Sequence, residues 1–167
     1  MPILSIVGKT NSGKTTLIEK IILELKNRGY KVGAIKHCHH DFEIDTEGKD
    51  SYRMTKAGAD VVVVATDKKL AMIRSMFNVQ RSTKLDELVQ WLFPDVDIVI
   101  TEGYKEDDKP KIEVNRKEVG KELLCKPEEL LAVVSDQNFD IDVQCFSFDE
   151  ISAITDLIVE KMKIRRD

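Results

Sequence analysis

The sequence predicts a three-layer α/β fold, in which helices flank a mostly parallel β-sheet. Short β-branched runs alternate with longer segments of helical period, which is the pattern of parallel βαβ units. A glycine-rich turn joins the first predicted strand to the first predicted helix, as in nucleotide-binding members of this class. The length of 167 residues suits one domain with a substantial core, so we expect a single domain over residues 1–167.

The first predicted elements are recognised from the spacing of their apolar residues, which changes from a continuous run to helical spacing. Residues 3–7 form a continuous apolar run and predict a buried strand. A helix is predicted after Lys14, with Gly29 as its C-terminal stop. Residues 30–35 predict a second strand, and the polar stretch 37–48 that follows is long for a connection between a strand and a helix, so we expect a functional or mobile loop. The apolar residues at helical spacing in the first helix are Leu17, Ile18, Ile21, Ile22 and Leu25.

The remaining elements follow from the same two periods. The predicted helices cover residues 50–59, 85–93 and 151–162. The predicted strands cover residues 60–65, 70–76, 97–101, 111–114 and 130–134. We interpret the two charged stretches without a period, 105–111 and 115–129, as surface loops.

Composition excludes several classes of protein. Lys and Arg number 26 against 30 Asp and Glu, so the chain lacks the overall basic charge that holds a nucleic-acid backbone, and no nucleic-acid partner is expected. The apolar runs fall far short of the roughly 20 residues that span a bilayer, and the N-terminal run is too short for a secretory signal. Three widely spaced cysteines, Cys38, Cys125 and Cys145, argue against a disulfide framework and suit a reducing compartment. From the short apolar runs we expect no membrane contact, and from the missing signal and the cysteines we expect a cytoplasmic location.

One motif carries most of the chemistry that the sequence predicts. Residues 8–15 match the pattern G-x-x-x-x-G-K-[ST], between a buried strand and a helix, where backbone N–H groups wrap a phosphate. Lys14 would reach the β- and γ-phosphates and the Thr15 hydroxyl would coordinate Mg²⁺, whereas the alternative is a glycine-containing turn that binds nothing. The fold is therefore predicted to be that of a P-loop NTPase. The predicted phosphate-binding residues are Gly8, Lys9, Thr10, Asn11, Ser12, Gly13, Lys14, Thr15 and Thr16.

Two further residues are candidates for catalysis. A P-loop site needs an acid near its metal ion, and ligands bind at the carboxyl ends of parallel strands, which favours Glu102 over Asp97 as the Mg²⁺ ligand. Lys9 lies where P-loops of the ParA and MinD type carry a lysine that reaches across a dimer and stabilises transition-state charge. The Gly-Gly pair that follows that lysine is absent here, which favours an exposed loop lysine.

The histidines are concentrated in one short segment after the second predicted strand. His37, His39 and His40 fall beside Cys38, and these side-chain types bind zinc or nickel. Neighbouring residues of an extended chain point to opposite faces, however, so few of them converge on one ion. Contacts to phosphate, oxyanion or pterin, a switch loop that faces the nucleotide, or a solvated polar loop fit equally well. Asp45, in the same loop, is a candidate Mg²⁺ ligand.

Three segments in this order resemble the MobB family, the P-loop adaptor proteins of molybdopterin-guanine dinucleotide biosynthesis. They are residues 8–16, the long run 35–59 that includes Lys-His-Cys-His-His-Asp, and the run 101–105, Thr-Glu-Gly-Tyr-Lys. The resemblance implies a GTP-binding, usually homodimeric protein with weak Mg²⁺-dependent hydrolysis that assists a MobA-type guanylyltransferase. The resemblance implies that residues 8–16 bind phosphates and that Glu102 lies near Mg²⁺. It also implies that residues 37–45 form a switch-like or partner-facing element. Molybdopterin is a possible further ligand.

The residues themselves leave the choice of nucleobase open. GTPases commonly read guanine with N-K-x-D, and this chain has Asn-Arg-Lys-Glu from Asn115, while Asp136 follows the next strand and offers another carboxylate. Either could be only a turn, so the preference for GTP over ATP comes from the resemblance. A nickel-metallochaperone GTPase, which the histidines favour, and a small-molecule kinase use the same loop, although the arginines form no evident lid cluster.

Overall fold

The computed structural model describes residues 1–38, 40–75 and 84–165. They form two compact units, the first from the described residues of Met1–His37 and Leu85–Asp167 and the second from those of Cys38–Lys84. The single domain expected over residues 1–167 stays a prediction. In chain order the elements are β1 (Ile3–Val7), α1 (Lys14–Asn27), β2 (Val32–Lys36), α2 (Asp50–Lys56), β3 (Val61–Ala65), β4 (Leu70–Arg74), α3 (Leu85–Leu92), β5 (Ile98–Glu102), β6 (Lys111–Asn115), β7 (Leu130–Ser135), β8 (Cys145–Phe146) and α4 (Ile151–Met162).

The first unit contains a six-stranded sheet in the order β2-β5-β1-β6-β7-β8, and all of its pairings are parallel. Side chains of β1 alternate between the two faces of this sheet. Leu4 and Ile6 pack with residues of α1 and α4, while Ile3 packs with Leu85 and Val89 of α3 on the other face. Helices therefore cover both faces, and the predicted three-layer α/β fold of the P-loop class is confirmed.

The register of the sheet places several polar side chains along one edge. Glu102 at the end of β5 is paired with Lys36 at the end of β2 and with Ile6 near the end of β1. Asn115 at the end of β6 is paired with Ser135 at the end of β7. Because parallel strands end at the same edge, the loops that follow them meet there.

The predicted boundaries differ from the observed ones for local reasons. The second strand was expected from Tyr30, but the Tyr30 N–H donates to the Leu25 carbonyl at 3.0 Å and so belongs to the end of α1. The second helix was expected to reach residue 59 but ends at Lys56, and Gly58 follows with φ of +101°. The two-residue strand β8 was not predicted, because two residues are too short to show a period.

The second unit contains α2 and an antiparallel pair of strands, β3 and β4. The predicted strand 60–65 is thus present, but it pairs outside the parallel sheet; Met76, the predicted end of its partner, lies outside the described residues. In residues 1–38, 40–75 and 84–165, no helix has the length and apolar character needed to cross a bilayer.

Candidate functional site

The phosphate-loop motif lies at the carboxyl end of β1, the central strand beside which the sheet order changes direction. The backbone conformation and the close neighbours of the loop require glycine at the two fixed glycine positions of the motif. Gly8 has φ of +146°, and a Cβ there would overlap the Val114 carbonyl and approach the Ser12 hydroxyl. Gly13 has φ of +96° and precedes the first residue of α1, so it turns the chain into the helix. The loop therefore opens α1 with the N–H groups of its first turn facing the edge of the sheet.

Lys14 holds its ammonium group within this loop. Its Nζ donates to the Gly8 carbonyl at 3.0 Å and to the Lys9 carbonyl at 2.8 Å. Burial lowers the pKa of Lys14, the carboxylate of Glu102 opposes that shift, and the ammonium of Lys36 adds to it. The loop thus carries a partly desolvated cation, which favours an anionic ligand.

Glu102 and Thr15 lie together beside the loop. The Thr15 hydroxyl donates to Glu102 Oε2 at 2.9 Å, and Lys36 Nζ lies 3.6 Å from Glu102 Oε1. The Glu102 side chain is only 17% exposed. A hydroxyl and a carboxylate are hard oxygen donors of the kind that Mg²⁺ prefers, so these residues fit that ion. Asp97 lies at the opposite edge, where its carboxylate accepts the Lys31 N–H at 2.7 Å.

The other residues of the loop have different surroundings. Ser12 is buried, and its N–H donates to the Lys9 carbonyl at 3.3 Å. The half-buried side chain of Lys9 lies against Gly120, where a Cβ would overlap its Nζ. Thr10, Asn11 and Thr16 are exposed, and Asn11 has φ of +63°. The role of Lys9 across a dimer stays a prediction.

The two residues expected to read the base lie on neighbouring strand ends. Asn115 is 4% exposed; its amide donates to the Glu122 carbonyl at 3.2 Å and its side-chain oxygen accepts from Gln137 at 2.5 Å. Asp136 Oδ1 accepts the Lys117 N–H at 2.8 Å. Asn115 therefore holds the loop after β6, whereas the second carboxylate oxygen of Asp136, Oδ2, lies 3.9 Å from Arg116 Nη1. Their role toward a nucleobase stays a prediction.

The histidine segment divides between the two units. His37 belongs to the first unit, where the centroid of its ring lies 4.6 Å from the centroid of the Tyr104 ring. The backbone N–H of His37 donates to the Glu102 carbonyl at 3.0 Å. His40 and Asp45 belong to the second, and Asp45 Oδ1 accepts from the Thr46 N–H and the Ser51 hydroxyl at 2.8 and 3.1 Å.

His39 lies outside the described residues. Within the part of the chain that the structure describes, no three His, Cys, Asp or Glu side chains are grouped so that they could hold a metal ion. The expected roles of His37, His39 and His40 toward a cofactor, and of Asp45 toward Mg²⁺, stay predictions.

Sequence reasoning missed residues that reach the site from elsewhere in the chain. Lys36 pairs in register with Glu102. Its position directly after a predicted strand was the one sequence signal that could have placed it at the site. Glu113 is fully buried and accepts the N–H groups of Leu124 and Cys125 at 2.6 and 2.9 Å, which fixes the loop after β6. Burial and the charge of Glu113 raise the pKa of the Cys125 thiol to about 11, so the thiol stays protonated at neutral pH. No local pattern pointed to Glu113, because a charged residue within a strand usually faces solvent.

Comparison of the sequence with known families gives one match over most of the chain. Residues 3–136 match the family described as molybdopterin guanine dinucleotide synthesis protein B. A molybdopterin-guanine dinucleotide biosynthesis adapter protein of Haemophilus influenzae is 40% identical over 159 residues, which cover 95% of this chain and 88% of that protein. The adapter protein of the same name from Escherichia coli is 34% identical, covering 98% of this chain and 94% of its own.

Solved structures agree with this match. A crystal structure of molybdopterin-guanine biosynthesis protein B superposes with a TM-score of 0.73 at 34% identity, covering 96% of this chain and 99% of the other. The crystal structure of Bacillus subtilis MobB gives a TM-score of 0.73 at 27% identity, with both chains covered completely. The similarity therefore extends over both sequence and fold.

Proposed function

Because this chain belongs to the molybdopterin guanine dinucleotide synthesis protein B family, we propose that it is a GTP-binding adaptor of molybdenum-cofactor biosynthesis. In this role it binds GTP with Mg²⁺, hydrolyses it weakly, and assists a MobA-type guanylyltransferase that joins GMP to molybdopterin. Its relatives carry the name adapter, which supports a protein partner in that pathway. The three widely spaced cysteines support a cytoplasmic location.

The observation that carries the nucleotide part of the proposal is the arrangement of Lys14, Thr15 and Glu102 at the end of β1. Lys14 Nζ is held by two loop carbonyls, and Thr15 donates to Glu102 at 2.9 Å. A cation beside a glycine-rich loop and a helix N-terminus binds the phosphates. Lys14, assisted by Lys36 at the next strand end, balances their negative charge.

Hydrolysis calls for a metal ion and an acid at the same place. Bound Mg²⁺ would stabilise the developing charge on the phosphates, and Thr15 and Glu102 are the residues that would hold it. Glu102 is positioned by its register with β1 and β2 and is largely shielded from water. We expect slow turnover by the chain alone, as the family resemblance implies.

The second unit supports the homodimer in the proposal. Residues that lie opposite each other on β3 and β4 share one face of the hairpin. Four apolar side chains on one face are exposed: Val61 (40%), Val63 (51%), Leu70 (66%) and Met72 (39%). Isolated two-stranded sheets are marginally stable in water, and contiguous apolar surfaces of this kind mark protein interfaces. A second copy of the chain would cover this face with an equivalent face of its own.

Calorimetric titration with GTP, GDP and ATP, each with Mg²⁺, tests the proposal. The titration is repeated in the presence of molybdopterin-loaded MobA-type guanylyltransferase. The proposal predicts binding that prefers guanine nucleotides and strengthens with the partner. Preference for ATP together with phosphorylated product would indicate a kinase, and stoichiometric Ni²⁺ binding that is lost in a H39A/H40A variant would indicate a metallochaperone; either result contradicts the proposal.

A further inference from the structure

The guanidinium of Arg116 lies over the ring of Phe148 beside the phosphate loop, and we call this cation–π pair the stack. The guanidinium carbon of Arg116 lies 4.1 Å from the centroid of the Phe148 ring. Phe148 is half-buried and packs against the core that α1 and α4 form on the sheet, so its ring is held from behind. The Arg116 side chain is still 39% exposed. The guanidinium therefore lies over a ring that is supported from behind, and part of the Arg116 side chain is still exposed.

The position of the stack is defined by Gly13, the last loop residue before α1. A Cβ built on Gly13 would lie 3.4 Å from Arg116 Nε and 3.7 Å from Phe148 Cε1. Gly13 immediately precedes Lys14, which we propose to contact the phosphates. The exposed guanidinium therefore stands at the rim of the phosphate loop, within reach of whatever is attached to a phosphate bound there.

Two contacts set the orientation of the guanidinium. The Phe148 ring contacts it from one side, and Asp136 Oδ2 lies 3.9 Å from its Nη1. Asp136 is itself held by the Lys117 N–H, which donates to its other oxygen at 2.8 Å. A partly exposed ion pair contributes little to stability, but together with the ring it orients a planar group. A guanidinium held in this way presents a flat surface to a flat ligand.

We propose that the exposed surface of Arg116, supported by Phe148, is the platform on which the purine ring of the bound nucleotide packs. This inference rests on the proposed nucleotide binding and assigns the base to residues outside the phosphate loop. Packing on a guanidinium requires a planar ring but does not distinguish guanine from adenine, because both present the same kind of surface. The choice between purines is then made at the edge of the platform, where Asp136 lies.

The experiment compares a ligand that has a base with one that has none. Mg²⁺-GTP and Mg²⁺-tripolyphosphate are titrated into the wild-type protein and into the Arg116→Ala, Arg116→Lys and Phe148→Leu variants. Arg116→Ala should weaken GTP binding by about tenfold and leave tripolyphosphate binding within about twofold. Arg116→Lys keeps the charge without the plane, so it should also weaken GTP binding, and Phe148→Leu should do so by removing the support.

Lys117→Ala is the matched control, since Lys117 is the exposed neighbour of Arg116 and its side chain has no part in the platform. Thermal unfolding of each variant shows whether it folds. Equal weakening of GTP and tripolyphosphate in Arg116→Ala would make the residue a phosphate-binding charge, and unchanged GTP binding would leave it without a role; both overturn the platform. Failure of the wild-type protein to bind either ligand would instead overturn the proposed function on which the platform rests.

Discussion

Two apolar strands of this protein have similar sequences and opposite surroundings. Strand β5, Ile-Val-Ile-Thr-Glu, lies between two parallel neighbours, and its first four side chains are at most 1% exposed. Strand β3, Val-Val-Val-Val-Ala, pairs with β4 alone among the described strands, and Val63 and Val64 are each 51% exposed. The difference shows that an apolar run specifies a strand but not the number of surfaces that cover it.

Each environment suits a different kind of ligand. The buried strand β5 holds Glu102 at a fixed place beside Thr15, and this cluster of polar groups suits a small polar ligand. The hairpin instead presents apolar side chains over an extended surface, which suits another protein chain. We therefore expect substitutions in the two regions to affect different measurements.

The largest effect is expected at the polar edge of the sheet. Lys14→Ala removes the cation that we propose to face the phosphates and should weaken GTP binding by at least about 100-fold, or roughly 3 kcal/mol. The free energy of unfolding should not fall, because burial disfavours the charged form of Lys14. Calorimetry and thermal unfolding measure the two quantities. Lys26→Ala, an exposed change on the same helix, is the control, and tight GTP binding by Lys14→Ala would refute the role of Lys14.

A smaller effect is expected when a charge is placed on the hairpin. Val63→Asp puts a carboxylate in the apolar face and should weaken the proposed dimer by roughly 10-fold or more, while GTP binding stays unchanged. Light scattering over a range of concentrations measures the mass. Leu23→Asp is the matched control, because Leu23 is a 63% exposed apolar side chain of α1 outside the hairpin. If Leu23→Asp dissociates the dimer and Val63→Asp does not, the interface has been assigned to the wrong region.

The smallest effect concerns pH. The Glu102 carboxylate raises the pKa of Lys14 against the lowering by burial, so Glu102→Gln should lower that pKa further. Only the charged form attracts phosphate, so affinity falls as the pH rises through the pKa of Lys14, and this fall should begin at a lower pH in the variant. We expect the ratio of the wild-type affinity for GTP to that of Glu102→Gln to change severalfold between pH 7 and the alkaline range. Because both proteins bind the same ligand, the titration of the ligand itself cancels in this ratio. A constant ratio would show that the two side chains are electrostatically independent.

The sequence predicted those parts of the fold and site that depend on contiguous residues. Strand β1, the glycine loop and α1 follow one another, and Gly8 and Gly13 have the torsion angles that the motif requires. The rule that ligands lie at the carboxyl ends of strands placed Glu102 rather than Asp97 near the loop, which the structure matches. Both successes rest on information that is local or shared by all parallel sheets.

The rest depends on contacts between distant segments. Arg116 and Phe148 meet only because the loops after β6 and β8 end at the same edge, and β8 is too short to be recognised from its period. Strand β3 was predicted as a strand, but an apolar run does not name its partner, so its pairing with β4 outside the parallel sheet was not foreseen. Lys36 gains its importance from the register of β2 with β5, which no single segment reveals.

Hydrogen exchange of the backbone amides with and without Mg²⁺-GTP tests whether the loop at residues 8–16 binds the phosphates of the nucleotide. Phosphates that accept hydrogen bonds from loop N–H groups slow the exchange of those amides. We expect nucleotide-dependent protection at residues 8–16 and no change in the hairpin at residues 61–74. No protection of residues 8–16 at saturating Mg²⁺-GTP, or protection confined to the hairpin, would contradict it.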